Sequence, residues 1–318
     1  MSRRRTPLPA GAALRYGGRL MSQPVHALFL VSAPDQPGLV ARLARFFYSA
    51  GLNILDASNH TDVHAEGGPR FFMRLVVDLA GLSSPTASEA LHGSATRSRL
   101  EAAFGDLAEN LSAAWSVRYS DVVQRVAILV TKDPACLYDL VLRQRGGELP
   151  CEIPLVISNH PTLEPVAESF RIPFVCLPVT ADTKRDQEQQ ILDLVQRHHI
   201  DLVVLARYMQ VLTADFLEAA PPVINIHHGF LPAFQGAKPY HQAHARGVKI
   251  IGATAHYATK DLDQGPIIEQ DVARVTHAMG PEELTRVGRD VERVVLSRAV
   301  RAHLERRVIV EGRRTIVL

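Results

Sequence analysis

From Val25 to Ala33 the chain is mostly apolar, and Pro34-Asp35-Gln36-Pro37-Gly38 then breaks the run, which predicts a buried strand ending in a sharp turn. Leu39, Leu43, Phe46 and Phe47 recur at helical spacing up to Gly51, so an amphipathic helix is expected over Gly38–Ala50. Asn53–Asp62 and Phe71–Leu79 carry strand character on either side of the polar, Gly-rich connection Ala65–Pro69, the pattern of a hairpin. Leu100, Phe104, Leu107 and Leu111 mark a second helix, and Ser112–Tyr119 closes the region as an alternating strand. The order β-α-β-β-α-β belongs to the ferredoxin-like split βαβ sandwich, a sheet with two helices on one face.

Near Arg125 the pattern changes. V-A-I-L-V is a continuous apolar run of the kind buried on both faces of a parallel sheet. Similar runs recur at Ile153–Ile157, Phe174–Leu177, Leu202–Leu205, Val223–Ile226 and Ile250–Ala255, with helical stretches between most of them. This predicts a doubly wound, mostly parallel α/β fold, whose ligands sit beyond the carboxyl ends of the strands. The loops after Leu205 and Ile226 are therefore the places to look for chemistry. The expected division is an extension over 1–24, a small domain over 25–119 and a larger domain over 120–318.

A chain of 318 residues accommodates two such domains, and 47% hydrophobic with 21% charged residues is the composition of a folded globular protein. Lys plus Arg, 35, nearly balances Asp plus Glu, 33, so no general field favours nucleic acid or an anionic membrane, and a small-molecule partner is expected. Cys136, Cys151 and Cys176 lack C-x-x-C spacing and read as free thiols of a reducing, cytoplasmic compartment. No stretch approaches the roughly 18 apolar residues of a membrane-spanning helix. Residues 1–24 hold five arginines and no acid without a sustained amphipathic pattern; they read as a disordered extension, with Met21 a natural start.

Beyond Val223 comes Asn225-Ile226-His227-His228-Gly229-Phe230-Leu231-Pro232. Two residues apart on an extended backbone, Asn225 and His227 point the same way. An unpaired amide or imidazole in an otherwise apolar strand costs about 1–3 kcal/mol, so the pair either satisfies itself or works. Farther on, Thr259-Lys260-Asp261-Leu262-Asp263-Gln264-Gly265-Pro266 is a polar loop before the strand Ile267–Val275, and it supplies a carboxylate, Asp263. An Asn N–H can hold the oxyanion formed when an amide carbon is attacked. A His can take a proton from water and deliver one to the leaving nitrogen, and an Asp can orient that imidazole. His228 is expected on the opposite side of the strand from His227. His227, His228, His241, His244 and His256 are many imidazoles in one region, but no H-E-x-x-H or comparable spacing appears; no metal is expected, and His241 and His244 read as a helix face at the solvent edge.

In the small domain, D-Q-P-G-L followed by G-L-N-I-L-D resembles the ACT domain, a regulatory module that commonly binds small amino acids at its first strand-to-helix loop. The resemblance implies an effector site around Asp35, Gly38 and Asn53: the Pro-Gly turn offers N–H groups to a carboxylate, and Asp35 and Asn53 face the ammonium end. It also implies a homo-oligomer, with glycine and methionine as the effectors to try. In the large domain, V-I-S-N-H, L-A-R-Y-M-Q-V-L, N-I-H-H, L-P-A-F-Q-G-A-K-P-Y-H-Q-A, L-D-Q-G-P-I-I and the closing G-R-R-T-I-V-L resemble the folate-dependent formyltransferases. That resemblance implies Asn225, His227 and Asp263 as the reacting group. It places the folate pocket at Met209, Gln210, Val211 and Leu212, with no permanently bound cofactor.

Transferases of this type that formylate a phosphorylated amine carry a Gly-rich loop after their first strand. Here that loop is Thr131-Lys132-Asp133-Pro134-Ala135-Cys136, which has no glycine, one proline without an N–H, and an aspartate that repels phosphate. Water is then the simplest nucleophile. Joined to an ACT domain, the pattern resembles hydrolytic members of the family, and the implied activity is hydrolysis of 10-formyltetrahydrofolate to tetrahydrofolate and formate, supplying formate for purine synthesis. The alternatives are formyl transfer to an amine, and a catalytically impaired amino-acid sensor in which Gly229, where relatives usually have Ser, marks decay.

Overall fold

The computed structural model describes residues 25–80, 96–233 and 239–318; the expectation for 1–24 lies outside these. The first unit runs β1 (His26–Pro34), α1 (Leu39–Ser49), β2 (Asn53–Asp62), β3 (Arg70–Asp78), α2 (Thr96–Asn110) and β4 (Ala114–Tyr119). Its sheet has the order β2-β3-β1-β4 with antiparallel pairing throughout. Phe29, Phe47, Leu75, Leu100 and Phe104 are fully buried between this sheet and the two helices, the layering that the period-two and period-3.6 patterns require. Gly38 starts α1 in the left-handed region, φ 86°, which glycine adopts without strain. The last strand begins at Ala114, two residues later than the alternation suggests, because Ser112 turns the chain off α2 with φ 51°.

The second unit holds β5 (Gln124–Val130), α3 (Ala135–Arg145), β6 (Cys151–Ser158), α4 (Glu164–Ser169), β7 (Phe174–Cys176), α5 (Lys184–Arg197), β8 (Leu202–Leu205), α6 (Ala214–Ala219), β9 (Val223–His227), α7 (Pro239–Ala245), β10 (Ile250–Tyr257), β11 (Ile267–Arg274), α8 (Pro281–Leu304), β12 (Val308–Glu311) and β13 (Arg314–Val317). Its main sheet has seven strands in the order β11-β10-β9-β8-β5-β6-β7. β5 to β9 run parallel, while β10 is antiparallel to both its neighbours. This is the mostly parallel, doubly wound sheet expected from the apolar runs. Alternate residues of β5 face opposite cores: Val126, Ile128 and Val130 lie with α3 and α8, whereas Ala127 and Leu129 lie with α5 and α6. Burial on both faces is why the run is continuously apolar. The chain leaves β5 toward β6 and β7, then returns to place β8 on the other side of β5. The crevice between the ends of β5 and β8 is thus the topological switch point, where such sheets bind ligands.

The end of the chain joins the two units. Leu30 and Phe72 point away from the helices of the first sheet and are nonetheless buried. That outer face carries Arg74, which donates to the carbonyl of Glu305 at 3.3 and 3.2 Å, a cation at the C-terminal end of α8. Arg306 donates to Ser116 Oγ at 2.6 Å, Arg314 pairs with Asp62 at 2.7 Å, and Arg70 pairs with Glu311 at 3.3 Å. No helix among the described residues is long and apolar enough to cross a membrane.

Candidate active site

Asn225 and His227 occupy the carboxyl end of β9, and β10 runs antiparallel beside them so that His256 stands directly opposite Asn225. A bulge between Ala255 and His256 aims the latter imidazole into the same space. Asn225 Nδ2 lies 3.2 Å from His256 Nε2, and His256 Nδ1 lies 3.0 Å from the carbonyl of Tyr257. A carbonyl only accepts, so Nδ1 of His256 carries the proton and Nε2 accepts one amide hydrogen of Asn225. The second amide hydrogen remains for a ligand.

Asp263 arrives from the loop between β10 and β11. Its Oδ2 is 3.3 Å from His227 Nδ1 and its Oδ1 3.8 Å from His256 Nε2. The loop is forced into this approach: Asp263 has φ 55°, tolerable for an aspartate, and a Cβ on Gly265 would come within 1.7 Å of the Tyr257 carbonyl oxygen. Burial raises the Asp263 carboxyl, but the hydrogen bond from His227 and the charges of His227, His256 and His228 outweigh it and hold the group below its ordinary range. Asp263 is a carboxylate at neutral pH. With Nδ1 of His227 committed to Asp263, Nε2 is buried and has no hydrogen-bond partner among the described residues, and it is the nitrogen left to meet a substrate atom or water.

His228 departs from the sequence expectation. β9 ends at His227, so strand alternation stops there; the His228 ring stands 5.4 Å from that of His227 and lines the same cavity. Burial, then the charges of Arg207 and His227, push it down to about 4, so it is neutral near pH 7. Burial likewise lowers His256. In the sequence His256 stands only as one imidazole among several. Its signal was the same as that of Asn225, a polar group in the apolar strand I-I-G-A-T-A-H-Y.

These groups form one wall of a cavity of about 560 Å³. Met209, Gln210, Val211 and Leu212, after β8, form another, with Met209 and Val211 apolar yet 57% and 53% exposed. Uncovered apolar side chains beside a polar wall suit a flat heterocycle. The loop is tied from below: Met209 N donates to Thr131 Oγ1 at 3.0 Å, Gln187 donates to Tyr208 Oη at 3.1 Å, and Glu188 accepts from both the backbone N–H (3.0 Å) and the hydroxyl of Thr213. His241 and His244 are exposed on α7, and among the described residues no three His, Cys, Asp or Glu side chains are arranged to hold a metal ion.

The implied effector residues of the first unit are not brought together within one chain. Asp35 follows the end of β1, beside the Pro34–Arg70 pair, whereas Asn53 begins β2 opposite Asp78, at the other end of the sheet. Eight residue steps along β3, from Arg70 to Asp78, separate the two ends, roughly 27 Å at about 3.4 Å per step. Asp35 stays with Gly38 at the α1 turn, and Asn53 does not join them.

Both units match known families. Residues 124–300 match the family described as formyl transferase, and residues 27–86 match the ACT domain. A formyltetrahydrofolate deformylase from Synechocystis sp. is 51% identical over 298 residues, covering 93% of this chain and 99% of the relative. The crystal structure of a formyltetrahydrofolate deformylase from Pseudomonas syringae pv. tomato superposes with a TM-score of 0.84 at 42% identity, over 93% of this chain and 95% of that one. Glycinamide ribonucleotide transformylase 1 from Symbiobacterium toebii shares only the second unit, with a TM-score of 0.59 at 30% identity, over 62% of this chain and 94% of that one. The fold defines a formyl-transferase-type protein that carries an ACT domain. Matched along nearly its whole length, the chain belongs to the formyltetrahydrofolate deformylase family.

Proposed function

We propose that the protein hydrolyses 10-formyltetrahydrofolate to tetrahydrofolate and formate in this cavity. The observation that carries the reading is the meeting of Asn225, His227 and Asp263 across from the exposed apolar loop of Met209 and Val211. The pterin lies against Met209, Gln210, Val211 and Leu212, which leaves the formyl carbon beside Asn225 and His227. Water attacks that carbon, a C–O bond forms, and the water's proton passes to Nε2 of His227, held in the required tautomer by Asp263. The developing oxyanion receives the free N–H of Asn225. His227 then returns the proton to the folate nitrogen as the C–N bond breaks, releasing tetrahydrofolate and formic acid, which ionises.

Formyl transfer to an amine needs an acceptor pocket, and for a phosphorylated amine the loop after β5 offers no glycine and presents the carboxylate of Asp133. The ACT domain binds a small amino acid, with glycine and methionine the first to test, at the Gly38 turn; its open edge strands β2 and β4 suit pairing with a second copy. The seam formed by Arg74, Arg306 and α8 carries its effect toward the cavity. Incubation of the purified protein with 10-formyltetrahydrofolate and no amine tests the activity: formate and tetrahydrofolate are expected in equal amounts. Turnover that begins only when an amine is supplied would assign transfer instead.

A further inference from the structure

At the switch point between β5 and β8, behind the cavity wall, four charged side chains meet that the hydrolysis does not use. Asp133, in the loop after β5, places Oδ2 2.9 Å from Arg289 Nε and 3.9 Å from Arg207 Nη2, while its Oδ1 accepts from the N–H of Ala135 at 3.1 Å. Arg207 Nη1 reaches Glu292 Oε2 at 3.2 Å, and Tyr240 Oη donates to Glu292 Oε1 at 2.6 Å. Gly288 makes the last contact possible, since a Cβ there would stand 2.1 Å from the Tyr240 ring. Arg207 and Tyr240 also line the cavity and connect it to this group.

The arrangement is poorly built as a stabilising device. Arg207 takes a left-handed φ of 63°, and among the described residues its Nε has no acceptor and Asp133 Oδ2, although charge-paired with Arg289, has no N–H aimed at it. Buried ion pairs stabilise only when their geometry and hydrogen bonds are complete. Two guanidiniums converging on the first loop of a doubly wound sheet would otherwise be an anion site. In this chain one of the protein's own carboxylates fills it.

We infer that Asp133 sets the acceptor specificity of the site: its carboxylate stands between Arg207 and Arg289 where the phosphate of a phosphorylated amine would be neutralised, and so keeps such acceptors out. The inference rests on the proposed hydrolysis and explains why water is the nucleophile left. A phosphate arriving there meets Arg207 and Arg289 already paired and a like charge at close range, with Pro134 contributing no N–H. The glycinamide ribonucleotide transformylase that shares the second unit is named for a ribonucleotide, a compound that carries phosphate.

Binding of inorganic phosphate at constant ionic strength, followed by titration calorimetry on the full chain, tests this. Asp133→Ala is expected to bind phosphate about tenfold or more tightly than the wild type, with Asp133→Asn intermediate because it keeps an acceptor for the Ala135 N–H. Asp133→Glu, which keeps the charge, should bind as weakly as the wild type, and adding Arg289→Ala to Asp133→Ala should abolish the gain. Equal phosphate affinity in wild type and Asp133→Asn overturns the inference, and so does tight binding by Asp133→Glu. Asp133→Asn preserves shape and so serves if Asp133→Ala does not fold. Formate release by the same wild-type preparation is read separately: its absence would remove hydrolysis without altering the phosphate result.

Discussion

In the proposed hydrolysis His227 acts in both directions on a proton because one of its nitrogens is committed and the other is not. Nδ1 faces Asp263 at 3.3 Å, while Nε2 is enclosed and has no partner among the described residues. Replacing Asp263 by Asn keeps the shape but removes the charge that fixes the tautomer. Asp263→Asn is expected to lower kcat by about 10²–10⁴ with little change in melting temperature, and near-wild-type turnover would refute its role. Asn225→Ala removes the proposed oxyanion donor and should cost on the order of 10²–10³ in kcat with a smaller effect on KM. His256 touches Asn225 and approaches Asp263, and in the proposed hydrolysis it would position them. Asn225, His227 and Asp263 were legible in the sequence because a polar pair interrupted an apolar strand and an acid stood in a loop. His256 carried the same mark, but its partner lies 31 positions away in the chain, and only the β9–β10 register sets them side by side.

At the scale of elements, two loops do the positioning, and both hold a non-glycine residue at positive φ: Arg207 after β8 and Asp263 after β10. Such conformations cost of order 1–3 kcal/mol and persist where surrounding structure enforces them. Gly265 is the point of enforcement for the second loop. Gly265→Ala should push the loop off the Tyr257 carbonyl, lowering stability by about 1–3 kcal/mol and largely abolishing turnover; wild-type kcat in that variant would show that the loop position is immaterial. The first loop hangs on α5 through Gln187 and Glu188. Glu188→Ala should raise KM for the folate while leaving kcat within a few-fold, and a fall in kcat alone would point away from a binding role for the loop. These ties between elements could not be read from local pattern, since Gln187 and Glu188 look like ordinary polar helix positions.

For the whole molecule, the buried histidines set the acid limit. His228 and His303 are pushed down to about 4, mainly by burial, and burial lowers His256 as well. Their folded pKa values lie below the unfolded value of about 6.5, so the unfolded chain binds more protons between the two, and stability rises with pH there. It is fully present above about 6.5 and lost as pH falls through 4, by up to on the order of 3 kcal/mol for each of His228 and His303. Urea midpoints should therefore fall steadily from pH 7 to pH 4.5; a flat profile would mean that these imidazoles are not buried neutral. His303 lies in the seam between units, its Nδ1 2.7 Å from Tyr257 Oη, and the Tyr257 carbonyl in turn holds His256. Both sheets were legible from the sequence, because two-sided burial produces unbroken apolar runs and one-sided burial produces alternation. The seam was not, because arginines such as Arg74 and Arg306 read as solvated charge until the outer face of the first sheet is seen covered. The same long-range geometry separates Asn53 from Asp35.

The central claim is that water, activated between His227 and Asp263 and received by Asn225, takes the formyl group. A single turnover of 10-formyltetrahydrofolate in ¹⁸O-labelled water, without any amine, tests it most directly. Formate carrying one solvent oxygen, released together with tetrahydrofolate and lost in Asp263→Asn, is the predicted result. Unlabelled formate, or a formyl group that leaves the folate only onto an added amine, would contradict it.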